Sequence, residues 1–284
     1  MNLNKFKSFL GPGPLITAAF IGPGTVTVCT LAGIRFDYTL LWALALSLIA
    51  TLFLQELSGR LGIVTRMDLS QLLRNKTENK WNRYFVMVLI LLAIGLGNAA
   101  YQSGNITGAY LGLGIFFNLP TWIMGPFTIQ SGNLGIGILA AGLLWTGNYK
   151  RLERVLVGLV VLMSISFGIA AALTQPNLPT LFQGFIPSFS TEKLPTLVAL
   201  IGTTVVPYNL FLYASLAQKQ WTTKRELPSM RWDLWISIGL GGFVSMAILV
   251  AGAANPVQEL ETAQDIAKGL TRVFGPFGTY LMGF

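Results

Sequence analysis

Two short stretches carry residue types suited to holding a ligand inside an apolar environment. The first is "IGPGT", Ile21 to Thr25, in the middle of "PLITAAFIGPGTVTVCTLAGI". The second is "GTTVVPYN", Gly202 to Asn209, which places Pro207 inside another apolar run. In a helix interior a glycine costs about 1 kcal/mol and a proline about 3 kcal/mol relative to alanine. Pro23 and Pro207 lack a backbone N–H and crowd the preceding turn. Gly22 and Gly24 permit backbone geometry closed to other residues. A helix unwound at such points leaves carbonyls free and presents oriented half-helix dipoles. Thr25, Thr203, Thr204 and Asn209 add hydroxyl and amide oxygens beside the two breaks. This is chemistry for holding an ion or a small polar solute. Gly22, Pro23, Gly24 and Pro207 are the expected hinges. A single proline in an apolar helix often marks only a kink; two breaks with polar groups around both favour a site.

The elements that position these residues are membrane spans. The chain has 284 residues, 53% of them hydrophobic, and a mean hydropathy of +0.62. Only 11% are charged, against about 25% in a soluble domain. Long apolar runs recur from end to end, so an all-α polytopic membrane protein is expected rather than a soluble enzyme. Spans are expected at about 12–33 (broken near 22–25), 39–58, 84–112, 132–147, 152–173, 194–217 (broken) and 233–252. From about 276 the chain reads as the start of an eighth, at which the sequence given stops. All of this forms one transmembrane domain over 1–284. Residues 118–132 read as an outer loop that re-enters or lies along the interface. Residues 255–275 read as an amphipathic outer helix. The N-terminus lacks the pattern of a cleaved signal peptide.

Charge placement sets the orientation. Alternate loops, beginning with the N-terminal segment, hold 15 of the 19 basic residues. That bias puts the N-terminus on the cytoplasmic side of a cell membrane. It also accounts for the formal charge of +8 without nucleic acid. The single cysteine, Cys29, and the absence of histidine exclude an intrachain disulfide, a cysteine metal cluster and a histidine ligand or proton shuttle. No nucleophile and base stand at recognisable spacing, so no enzyme and no cofactor are expected. The expected partners are a transported ion or small solute and the lipid bilayer; nothing in the sequence sets an oligomeric state.

Four pieces together resemble the NRAMP family of proton-coupled divalent-metal transporters. They are "GPGPLITAAFIGPGTVTVCTLAG", "LLWALALSLIATLFLQELSGRLGIVTRMDLSQLLR", "NYKRLERV" and "IGTTVVPYNLFLYASLAQ". The resemblance implies a LeuT-like inverted-repeat fold, of which this chain carries the first seven spans and the start of the eighth. Two interrupted spans, first and sixth, are the pattern of transporters built this way. The resemblance also places site residues. Gly22 and Thr25 stand where the family's first-span motif has metal-binding Asp and Asn. Thr203 and Val206 stand where its sixth-span motif offers an alanine carbonyl and a methionine sulfur. Tyr208 replaces the family histidine. Asn98 and Tyr101 fall at the acidic positions of the third span linked to proton passage. The implied substrate site is therefore Gly22, Thr25, Thr203, Thr204, Val206 and Asn209, with Asn98, Tyr101 and Tyr208 as gate or coupling positions.

These exchanges alter the chemistry. The site becomes neutral, and no ligating metal centre is readable from it. Methionine sulfur suits softer metals and oxygen suits hard ions. A divalent ion in low dielectric without carboxylates is poorly compensated, whereas an ion that keeps its waters, such as Mg²⁺, needs fewer anionic ligands. None of the eleven acids lies at the middle of spans 1, 3, 4 or 6, so proton coupling through a buried carboxylate is not expected. Glu56 reads as an i,i+4 partner of Arg60. Asn98, Gln102, Ser103, Asn105 and Thr107 are polar positions of span 3 that either face a cavity or bridge helices. The expected function is a secondary transporter of a divalent cation, of Mg or Mn type. The alternatives are a transporter of a small neutral or zwitterionic solute, and a non-transporting receptor or scaffold on the same fold.

Overall fold

The computed structural model describes residues 11–117, 120–124, 127–145, 147 and 149–254. The expected outer helix at 255–275 and the start of an eighth span lie outside the described residues. The first crossing is made of α1 (Gly13–Phe20) and α2 (Pro23–Phe36), which meet at 59°. Then come α3 (Leu41–Thr65), the short α4 (Leu69–Lys76) and α5 (Lys80–Phe116). A β-hairpin, β1 (Thr121–Met124) with β2 (Phe127–Gln130), leads into α6 (Ser131–Trp145). The rest is α7 (Tyr149–Leu173), α8 (Leu178–Gln183), α9 (Leu194–Thr204), α10 (Pro207–Gln220) and α11 (Leu227–Ala253).

Among the described residues α3, α5, α7, α11 and the interrupted α9–α10 stretch are long and apolar enough to cross a membrane, and the bent α1–α2 pair adds a sixth crossing if it is one span. The α6 helix has 15 residues. At 1.5 Å per residue it reaches about 22 Å, short of a hydrocarbon core of about 30 Å. The hairpin occupies the segment that reads in sequence as a loop. Thr121 pairs with Gln130 and Met124 with Phe127 in antiparallel register, and its β-branched and aromatic residues suit a strand.

Local chemistry explains where helices stop. Ile21 closes α1 by donating its N–H to the Thr17 carbonyl, 3.1 Å. Gly22 then runs extended (φ −126°, ψ 177°), and Pro23 opens α2 at its first position, where a missing N–H is harmless. The same device recurs later: Val206 is extended and Pro207 opens α10. α3 ends on Arg66 in the left-handed region (φ 57°), its N–H on the Gly62 carbonyl.

α11 is the packing centre. It lies against α1, α2, α3 and α7, and Leu234, Ile238, Ile248 and Leu249 on it are buried. Small residues allow close approach, as membrane helix contacts require. A Cβ on Gly33 of α2 would strike the Leu249 carbonyl, and one on Gly252 would meet the Thr30 backbone at 2.6 Å. On the other side Gly62 of α3 abuts the Ala214 backbone of α10. Large apolar side chains such as Phe53, Leu91, Leu92, Ile138 and Leu159 point outward, the arrangement a lipid-facing surface needs.

Candidate substrate site at the two helix breaks

The break in the first crossing frees carbonyls near its end, and the structure shows what meets them. Thr25, fully buried, donates its hydroxyl to the Phe20 carbonyl at 2.6 Å. Tyr101 of α5 donates to the same carbonyl at 2.7 Å, and its oxygen lies 3.4 Å from Thr25 Oγ1. Tyr208, in the first turn of α10, donates to the Ala19 carbonyl at 3.1 Å. The two tyrosine rings meet edge to face, centroids 5.9 Å apart. Sequence reasoning expects free carbonyls here. Instead two of them are occupied by hydroxyl donors, because irregular backbone inside a membrane must find partners.

The second break is held from α3. Thr203 and Thr204 both donate to the Leu200 carbonyl at 3.0 Å. Thr51 bonds its own helix at the Ser47 carbonyl (2.8 Å) and reaches the Thr204 carbonyl at 3.3 Å. Ser58 donates to the Leu210 carbonyl. Gln55, between them, is buried with Oε1 unpartnered. Val206 is buried, where a thioether would be needed to favour soft metals. Asn209 is 1% exposed, and its Oδ1 has no donor.

α5 lies along the first break. A Cβ on Gly22 would collide with Asn105 Oδ1, and one on Gly24 would sit 3.7 Å from it. Asn98 is half-buried on the same helix, while Gln102, Ser103 and Thr107 are exposed. The Ala19 and Phe20 carbonyls thus join Thr25, Tyr101 and Tyr208, while Gly22 and Pro23 lie against Asn105 and Gly108 of α5. Thr203, Thr204, Val206 and Asn209 gather at the other break, linked to the first through Tyr208. No group of three or more potential ligands among His, Cys, Asp and Glu is present among the described residues.

Two features escape sequence reasoning. One is the polar stripe Ser47, Thr51, Gln55, Ser58 on α3, whose spacing of three and four marks one helix face. That period was a usable signal. The other is Asp233, the first residue of the expected span at 233–252. It is 1% exposed and accepts the Gly11 and Gly13 N–H groups, both at 2.8 Å. A buried carboxylate therefore exists, at the entry of α1. Glu56 does not pair with Arg60 as expected; it accepts from Arg231 Nε at 2.7 Å, because α11 brings a cation closer than the next turn of α3.

Two interrupted crossings, tied together across the membrane interior and flanked by polar-faced helices, define a polytopic helical membrane protein of the LeuT-like inverted-repeat class. Comparison with known proteins agrees. Residues 13–284 match the family described as natural resistance-associated macrophage protein-like, Nramp, and the chain belongs to that family. The divalent metal cation transporter MntH of Latilactobacillus sakei is 30% identical over 258 residues, 87% of this chain and 54% of that protein. The divalent metal cation transporter MntH of Ralstonia nicotianae is 30% identical over 285 residues, 95% of this chain and 62% of that protein. The chain thus spans about three-fifths or less of these relatives. Crystal structures of the Eremococcus coleocola manganese transporter share the fold. The complex with an aromatic bis-isothiourea compound superposes with a TM-score of 0.79 at 22% identity, covering 100% of this chain and 62% of that one.

Proposed function

We propose that this chain forms the core of a secondary transporter that carries a hard divalent cation, of the magnesium or manganese type, with part of its water shell. The observation that carries this reading is the surplus of acceptors at the breaks. Asn105 Oδ1 and Asn209 Oδ1 are buried without a donor, and Gln55 Oε1 on the neighbouring α3 is in the same condition. Oxygens shielded from water and lacking donors are costly, and a cation or its bound waters completes them. The names of the relatives, a divalent metal cation transporter and a manganese transporter, support the same class of cargo.

The ligand set decides which cation. All side-chain oxygens at the breaks are neutral, and a bare divalent ion there would lack the charge needed in low dielectric. Mg²⁺ gives up its waters reluctantly and is commonly bound through them, so a neutral oxygen site suits a partly hydrated ion. Val206 brings no sulfur to the break, which removes preference for softer metals. Titratable groups at the breaks are Tyr101 and Tyr208, whose protons serve the Phe20 and Ala19 carbonyls. The buried Asp233 carboxylate is engaged by the Gly11 and Gly13 N–H groups at the entry of α1, away from the breaks, so this chemistry supports transport without proton coupling. The basic-residue bias supports a cytoplasmic N-terminus in the cell membrane.

Thermal stabilisation of purified protein by metal tests this reading. Mg²⁺ and Mn²⁺ raise the melting temperature and Cd²⁺ does so less; Val206→Met reverses the order between Mg²⁺ and Cd²⁺. Stabilisation by an amino acid or another neutral solute, with no response to any divalent ion, contradicts it and favours a solute carrier.

A further inference from the structure

We infer that Asn105 is a substrate ligand that fills, from α5, the place left by the missing side chain at position 22. The inference rests on the transporter reading above and adds a residue and a spatial rule to it. α5 presents one face to the first break: Tyr101, Asn105 and Gly108 follow at i, i+4 and i+7. Tyr101 meets the Phe20 carbonyl. Asn105 stands where a Gly22 side chain would begin, with its Cγ 3.1 Å and its Nδ2 3.4 Å from that position in addition to the colliding Oδ1. Gly108 is so close to Pro23 that a Cβ on it would strike the proline ring. The helix is therefore pressed against the break, and the amide occupies space that only a glycine at 22 leaves open.

The orientation of the amide completes the case. Nδ2 donates to Gln102 Oε1 at 3.2 Å, which turns Oδ1 toward Gly22 and Gly24. That oxygen is buried and has no donor. An amide oxygen so placed seeks a positive partner, and at a break in a transporter the partner is the cation or a water bound to it. Gln102 is the positioning residue. Positions 22 and 105 exclude one another: a side chain projects into the break from one or from the other. Returning an acid to position 22 therefore demands a smaller residue at 105.

Cation uptake by the full chain in proteoliposomes, measured with Mg²⁺ and Mn²⁺ across a concentration series, tests this. Asn105→Ala is expected to raise the half-saturating concentration about tenfold with little change in maximal rate, and Asn105→Asp to lower it, since added ligand charge tightens divalent binding. Both keep their melting temperature within a few degrees of the parent. Gly22→Asp alone loses uptake, and Gly22→Asp with Asn105→Gly recovers it. A parent that moves no divalent cation overturns the transporter reading itself. A parent that transports while Asn105→Ala matches it overturns the ligand role alone, as does a Gly22→Asp variant that works without the second change.

Discussion

The Tyr101 hydroxyl donates to the Phe20 carbonyl at 2.7 Å, so a side chain from the third crossing closes the backbone opened by the break in the first. Thr25 shares that carbonyl, which uses both of its lone pairs. The break is thereby satisfied without lipid or bulk water. It is also occupied, and a cation that uses this oxygen must displace a hydroxyl.

Tyr101→Phe separates the two roles. Losing one neutral hydrogen bond costs about 1 kcal/mol, since Thr25 still reaches the carbonyl. The variant is expected to melt slightly lower while responding more strongly to added Mg²⁺. Paired melting curves with and without metal check both directions.

Asp233 is the counterpart at the start of α1. It holds the Gly11 and Gly13 N–H groups from a buried position. Asp233→Ala leaves both donors without that partner, at a cost of about 3 kcal/mol; Asp233→Asn keeps one acceptor oxygen and costs less. Hydrogen exchange at the Gly13 amide should accelerate in the alanine variant first, before the core of α11 responds.

Arg231 and Glu56 form a pair of a different kind. Their side chains are 46% and 28% exposed, so Arg231→Ala should cost no more than about 1 kcal/mol, and less at high salt. Denaturation in detergent at two ionic strengths measures this against the Asp233 variants.

Glycines divide by what surrounds them. Gly33→Ala drives a methyl into the Leu249 carbonyl, and overpacking of this sort costs about 1–3 kcal/mol. Gly97 has nothing within 4 Å of a built Cβ, so Gly97→Ala should be neutral or stabilising by up to about 1 kcal/mol. Melting temperatures of the two variants should move in opposite directions.

Class and fold were legible in the sequence because their signals are local or additive. Apolar runs, few charges and the basic-residue alternation each sum over many positions. Gly22 and Pro23 mark the point where the chain turns by 59°, since the backbone itself dictates a break there. The relations that give the site its character are tertiary. Nothing near Gly22 in sequence names Asn105 as its neighbour. Glu56 finds Arg231 across 175 positions, although Arg60 stands one turn away. Asp233 stands first in the expected span at 233–252, and only the Gly11–Gly13 backbone explains its burial. The α3 stripe lay between these cases: its period was visible, but its target, the carbonyls of Thr204 and Leu210, was not.

On the proposed reading the paired breaks hold a hard divalent cation through neutral oxygens. Uptake of Mg²⁺ into protein-containing liposomes, followed by an enclosed indicator with and without a pH gradient, tests it most directly. Saturable Mg²⁺ entry above protein-free liposomes, unchanged by the gradient, is the predicted result. No divalent entry above the protein-free background, or entry that requires an inward proton gradient, would contradict it.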